Sequence, residues 1–250
     1  MEQSDTIRRY ALFGYALMGY IASIVTLTNL IFWLWPWEFM PYTIDRPIVV
    51  IDTNPCLVDI ALLLFFGLQH SLMARGFFKE RIMRHFGTAA KSATYALASS
   101  FALVLIFLFW QPLEGSLWEV GSGFGYWFFF TLYVLGWSAA FVATFMIDHF
   151  ALFGLHQGYR ELKGIPEPKS VFQARYFYKY VRHPIQTGTM VGLFATPVMS
   201  YGHFLFSLGM GVYILIGLWF EERSLVAEYG ATYEAYRKTT PMLVPTFFKK

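Results

Sequence analysis

Arg182, His183 and Pro184 stand where a long apolar run begins, and Glu221, Glu222 and Arg223 close it. From His183 to Phe220 there is no Asp, Glu, Lys or Arg across 38 residues. As one helix that run would be about 57 Å long at ~1.5 Å per residue, nearly twice the ~30 Å of a bilayer core. It therefore predicts a hairpin, broken at Pro197 and at the Ser200–His203 turn residues. A hairpin returns both charged clusters to one membrane face. Pro184 suits a first helical position. The free N–H groups of that turn, with Arg182 beside them, make a site for an anion such as a carboxylate. Glu221 and Glu222 opposite suit hydroxyls, an ammonium or a sulfonium. The pattern fits a zwitterionic cofactor with a carboxylate, an amino group, a ribose and a cationic centre, as S-adenosylmethionine has. Tyr176, Phe177, Tyr178 and Tyr180 offer ring faces for an adenine and for cation–π contact. A plain ion pair between Arg182 and Glu221 or Glu222, pinning the hairpin, uses the same residues. The residues alone leave both readings open.

The elements that must position them are membrane helices. The chain is 56% hydrophobic, 20% aromatic and only 14% charged, against ~25% charged in soluble proteins. Tyr10–Trp35, Ser92–Leu113 and Val120–Ile147 carry no charged residue, and each exceeds the ~20 residues of a crossing. Ile60–Ala74, extended by Cys56–Val58, makes a further span. The expected fold class is all-α, a polytopic integral membrane helical bundle in one domain over residues 1–250. About six crossings are expected, at roughly 10–35, 56–74, 92–112, 122–148, 184–199 and 204–220. The first run is too long for a signal-peptide core and is kept as a span. Basic residues set the orientation. With the N-terminus inside, 18 of the 19 Lys and Arg fall on the cytosolic side, leaving only Arg46 outside. That predicts an N-in, C-in protein whose cytosolic loop 149–183 and C-terminal segment 221–250 form the cofactor site. The single cysteine, Cys56, excludes an internal disulfide and a cysteine-rich metal site. No nucleic-acid signature is present, and no metal site is expected.

Few polar groups interrupt the apolar runs. Gln69 and His70 lie within the second span and suit an interhelical hydrogen bond or a functional site. Asp148 and His149 close the fourth, where a carboxylate beside a helix C-terminus is unfavourable unless it has a specific partner. Residues 150–180, with Gly154, Gly158, Gly164, Pro166 and Pro168, read as a long loop, either a lid or a solvated linker. His70, His85 and His203 receive no role.

Several motifs together resemble a known family. The RHP triplet, the apolar hairpin, Glu221-Glu222-Arg223 followed by Tyr229-Gly230, Tyr233 and Tyr236, and the Pro241–Pro245 tail resemble the isoprenylcysteine carboxyl methyltransferase and phospholipid methyltransferase superfamily. Within it, Thr144–Gln157, Phe66–Arg75, Ala195–His203 and Thr239–Pro245 look like the methanethiol S-methyltransferase branch, relatives of NnrU-like membrane proteins. The resemblance implies an S-adenosylmethionine-dependent enzyme that methylates methanethiol to dimethyl sulfide in a bacterial inner membrane. It carries cofactor binding onto Arg182, His183, Pro184, Glu221 and Glu222, with His156 and Tyr178 as upstream contacts and Gln186 included as the residue two after the proline. Gln186 stands where the superfamily often has tyrosine, which argues mildly against the prenylcysteine and phospholipid branches, whose acceptors are a carboxylate or an amine.

The implied reaction is an in-line displacement by a thiolate. A cysteine-like thiol has a pKa near 8.5, so a base is expected: His149 oriented by Asp148, with Glu221 or Glu222 as rivals. A thiol of two heavy atoms predicts weak affinity and a small apolar pocket. The expected partners are this small thiol and the lipid bilayer. A non-enzymatic membrane protein, with the arginine and glutamates structural, is the competing reading.

Overall fold

The computed structural model describes residues 2–168 and 171–245. Lys169, Lys249 and Lys250, counted above in the charge balance, lie outside them, as does the end of the 221–250 segment. The described residues are mostly helical, and among them five helices are long and apolar enough to cross a membrane. By contact it divides into two compact units, Met1–Leu113 with Asp148–Lys169, and Glu114–Ile147 with Ser170–Lys250.

The first unit holds α1 (Glu2–Leu34), α2 (Pro55–Ala74), α3 (Thr88–Phe109), the short α5 (His149–Leu152) and α6 (Leu155–Lys163). Asn54 caps α2, its side chain accepting from the Leu57 N–H, and Pro55 takes a first-turn position, where no donor is lost. The inner side of α3 is a stripe of alanines, with Ala89, Ala90, Ala93, Ala96 and Ala102 buried. Small residues let helix backbones approach closely where lipid offers no hydrophobic drive to associate. A Cβ on Gly19 of α1 would accordingly stand 3.1 Å from the Ala93 carbonyl oxygen. Polar groups within these helices turn inward on their own backbone: Ser23 donates to the Gly19 carbonyl at 2.9 Å and Thr26 to that of Ala22 at 2.8 Å. The 150–180 stretch is not one open loop. Its first half is α5 and α6, with α6 lying on α1 so closely that a Cβ on Gly158 would meet the Ala16 side chain at 2.5 Å.

The second unit holds α4 (Phe124–Phe145), α7 (Pro184–Phe194), α8 (Tyr201–Tyr229) and α9 (Ala231–Thr239), with a two-stranded antiparallel ribbon of β1 (Ser116–Glu119) and β2 (Val198–Ser200). The hairpin is asymmetric. Its first limb ends at Phe194, because Pro197 cannot donate and the chain turns extended to pair with β1; α7 alone is about 16 Å long at ~1.5 Å per residue. Its second limb runs past the expected end at residue 220 to Tyr229, about 43 Å on the same basis, and carries Glu221 and Glu222 on an unbroken helix. The break is well satisfied: the Leu193 carbonyl accepts from Ser207 Oγ at 2.7 Å and lies 3.1 Å from His203 Nε2. That gives the unassigned His203 a structural place. The half-length α7 is held by α4 through facing small residues. A Cβ on Gly188 would stand 2.5 Å from the Gly136 carbonyl oxygen, and one on Gly136 would stand 2.8 Å from the Gly192 nitrogen.

Candidate functional site

In the second unit, Val181 to Thr187 passes from a one-turn 3-10 helix (Tyr176–Lys179) into α7. The Pro241–Pro245 tail runs alongside, since Arg182 N–H donates to the Pro241 carbonyl at 2.9 Å and His183 N–H to that of Met242 at 3.1 Å. Thr187 Oγ1 donates to the Leu243 carbonyl at 2.8 Å. The side chains then converge on one carboxylate. Glu222 Oε1 accepts from Arg182 Nε at 2.8 Å, from His183 Nε2 at 2.7 Å and from Tyr233 OH at 2.8 Å. Its other oxygen pairs with Arg237 Nε at 3.1 Å. A buried carboxylate with this many donors is compensated, which is what burial of a charge requires. Arg182 also donates through Nη1 to the Thr240 carbonyl at 2.6 Å. The two readings left open by the residues meet here: Arg182 does pair with Glu222, and the pair locks the α9 turn and the tail onto the head of α7.

Glu221 differs from its neighbour. Its side chain is 47% exposed against 8% for Glu222, and Oε2 stands 3.9 Å from His183 Nδ1. His183 is thus bracketed by both glutamates. Burial raises the Tyr178 phenol, and the charge on Glu221 adds to it, which places that hydroxyl within the field of the exposed carboxylate. Burial likewise pushes Tyr236 up to about 12, with Arg182 opposing and Glu222 adding, and raises Tyr233, helped by its bond to Glu222. Tyr236 OH also donates to the Tyr178 carbonyl. Beside this cluster Pro184 and Gly188 line a cavity of about 280 Å³, with Phe177, Tyr180, Val181 and Leu135 among its walls. Gln186 sits half-buried in the first turn of α7.

Asp148, His149 and His156 belong to the first unit. Asp148 caps α5, accepting from the Ala151 N–H at 2.9 Å, and its second oxygen accepts from His156 Nδ1 at 2.8 Å. The carboxylate expected to orient His149 therefore orients His156. His149 is 3% exposed, with Nε2 3.1 Å from Tyr20 OH and its ring edge-on to Tyr20. Burial lowers its pKa, partly offset by the Asp148 charge.

Other polar residues were misread or missed. Gln69 bonds within its own helix, Nε2 lying 3.0 Å from Met73 Sδ, whereas His70 does make the expected interhelical bonds. Asp59 interrupts the second span and escaped notice; it is fully buried and its Oδ1 accepts from the Gln111 N–H at 2.9 Å. Arg237, 45% exposed, and Tyr233 also went unassigned. Their signal was the tyrosine spacing after Glu222, whose meaning depends on α9 folding back.

The fold and this cluster define a polytopic helical membrane protein with its charged residues gathered at helix ends. Over 242 residues the chain is 39% identical to methanethiol S-methyltransferase 2 of Bradyrhizobium diazoefficiens, covering 97% of this chain and 93% of the relative. It is 38% identical to methanethiol S-methyltransferase of Mycobacterium tuberculosis over 233 residues, 93% of this chain and 89% of the other. A more distant likeness, 30% over 178 residues, joins it to Nurim of Bos taurus, covering 68% and 66%. No family model and no solved structure matches. The chain belongs to the methanethiol S-methyltransferase family.

Proposed function

We propose that the protein is an S-adenosylmethionine-dependent methyltransferase that converts methanethiol to dimethyl sulfide at the cytosolic face of a bacterial inner membrane. The observation that carries this reading is the Arg182–His183–Glu222 cluster set beside an apolar cavity that Phe177 and Tyr180 help to line, in a chain that matches named thiol methyltransferases over nearly its whole length. The residues present fit the cofactor. In the first turn of α7 Pro184 has no N–H and the Thr187 N–H donates to the His183 carbonyl at 2.9 Å, which leaves the Ile185 and Gln186 N–H groups without a partner in the helix, and with Arg237 they suit the amino acid carboxylate. Phe177 and Tyr180 suit the adenine, or a cationic sulfur by cation–π contact. Arg182, His183 and Glu222 hold these groups in place. Bound S-adenosylmethionine supplies an electrophilic methyl group on a sulfonium.

The chain must then supply a thiolate, the nucleophilic form of a thiol. Glu221 takes the thiol proton: it is the carboxylate of the cluster with solvent access, whereas Glu222 is occupied by four donors and His149 is enclosed against Tyr20. A general base must come within hydrogen-bond reach of its proton. The cytosolic placement rests on the basic residues of the sequence, because the Arg182 cluster lies on the side that the charge balance assigns inside.

The test uses purified protein in detergent with S-adenosylmethionine and methanethiol, read by headspace gas chromatography. Dimethyl sulfide is expected from the wild type. Glu221→Gln is expected to lower kcat by about 10²-fold while calorimetry shows cofactor binding retained. Cofactor binding without dimethyl sulfide from the wild type would refute the thiol assignment.

A further inference from the structure

The first unit contains a cavity of about 270 Å³ among α1, α2 and α3, closed at one side by Leu152 and Phe153. Its lining includes Ser99 and Ser100, near the middle of the 22-residue α3, so it lies at the depth of the hydrocarbon. A molecule reaching it from the bilayer has to be uncharged, since charge at that depth is costly. The volume is several times the ~30 Å³ share of one water but below the ~300–1,000 Å³ of sites for drug-sized ligands.

The polar part of the wall is specific. His70 Nδ1 lies 2.9 Å from Ser99 Oγ and its Nε2 lies 2.6 Å from Tyr95 OH. A neutral imidazole donates through one nitrogen and accepts through the other, and a hydroxyl can play either part. In each of the two resulting arrangements, one flanking hydroxyl gives its proton to the ring and the other directs its proton elsewhere. Of the other hydroxyls, Ser23 and Thr26 donate to their own helix, and Thr26 Oγ1 lies 3.3 Å from Ser100 Oγ. A buried water wants two to four polar partners, and this wall offers few. It does offer ring faces, with Phe66 stacked on His70 at 5.3 Å and Tyr95 at 4.8 Å from it. A weak hydrogen-bonding atom that also contacts aromatic rings favourably is sulfur.

We infer that this cavity binds a neutral short-chain thiol drawn from the bilayer, with the sulfur at the Ser99–His70–Tyr95 chain. The choice of thiol rests on the reaction proposed above; the cavity itself does not. The experiment uses the full chain in nanodiscs with a butanethiol carrying an alkyl diazirine, photolysed and mapped by peptide mass spectrometry. Label is expected on the α2 and α3 segments around Phe66, Tyr95 and Leu103. It should fall about tenfold when methanethiol is added at about ten times its Kd, by mass action. Ala96→Phe, which fills the cavity, is expected to remove the same label while S-adenosylmethionine binding stays as in the wild type. Should that variant not fold, the wild-type competition decides alone. Label absent from these segments, or unmoved by methanethiol, overturns the site. Competed labelling in a protein that makes no dimethyl sulfide would keep the site and remove the reaction; product without competed labelling would do the reverse.

Discussion

The Glu222 cluster of the second unit and the His70 chain of the first both bind polar side chains from different helices, but with different chemistry. Around Glu222 the groups are Arg182, Arg237, His183 and Tyr233, and one carboxylate takes all of them. Around His70 the partners are two hydroxyls. Charge gathers at a helix end, where backbone carbonyls of the tail and solvent share the cost of burial. Within the span the hydrogen-bond chain is built from groups that can stay neutral. The ionic cluster thus fixes geometry strongly, whereas the neutral chain can rearrange its protons without moving atoms. The first suits a site that must hold a shape, and the second a site that must accept a weakly polar guest.

The largest test of this contrast is Glu222→Ala. Removing the carboxylate leaves Arg182 with no ionic partner from Glu222 in a largely buried position, and breaking such pairs costs about 3–5 kcal/mol. We expect a markedly lower unfolding temperature in detergent and loss of product formation. An unchanged Tm would show that the tail is held by its backbone bonds alone. Gly188→Ala comes next. Its Cβ would stand 2.5 Å from the Gly136 carbonyl oxygen and 2.6 Å from the Ala140 nitrogen, backbone atoms that cannot swing aside, so α7 must shift from α4. Overpacking of this kind costs about 1–3 kcal/mol, and cofactor affinity should fall with it, read by calorimetry.

His70→Phe should cost less, roughly 1 kcal/mol, because interhelical hydrogen bonds in membrane proteins are individually weak. A loss as large as that of Glu222→Ala would erase the distinction between the two regions. The smallest effect is expected from His149. Its folded pKa is below the ordinary 6.5 because burial disfavours the charged form, so the unfolded chain takes the proton first. Stability is then full above about 6.5 and falls as pH is lowered through that value. His149→Phe should flatten this acid limb in a Tm-against-pH series. Full turnover by the same variant at neutral pH would agree with Glu221 as the base.

Much of the protein was legible in its residues. The charge-free runs required membrane helices, because no other open structure satisfies its backbone in lipid. The RHP and EER clusters were rightly expected to share one region, since a run too long for one crossing has to fold back. The pairing of Arg182 with a glutamate was legible as one of two readings. Which glutamate was not: Glu221 and Glu222 are adjacent and chemically identical, and only the rotation of α8 turns one toward Tyr233 and the other outward. Asp148 was rightly expected to have a specific partner, but that partner is His156, eight residues on, because α6 folds back over α5.

The sequence by itself determined the class of solvent and the residue types at the ends of the apolar runs, but not the number of long apolar helices, which is five among the described residues where six crossings were expected. The first two follow from composition and run length, which do not depend on how helices meet. Tertiary structure alone decided that α7 stops at half length against the small residues of α4, that α9 and the tail bring Arg237 and Tyr233 to Glu222, and that His70, Tyr95 and Ser99 align around a cavity. Each of these depends on distances between residues far apart in the chain, and side-chain spacing along one helix carries no information about them.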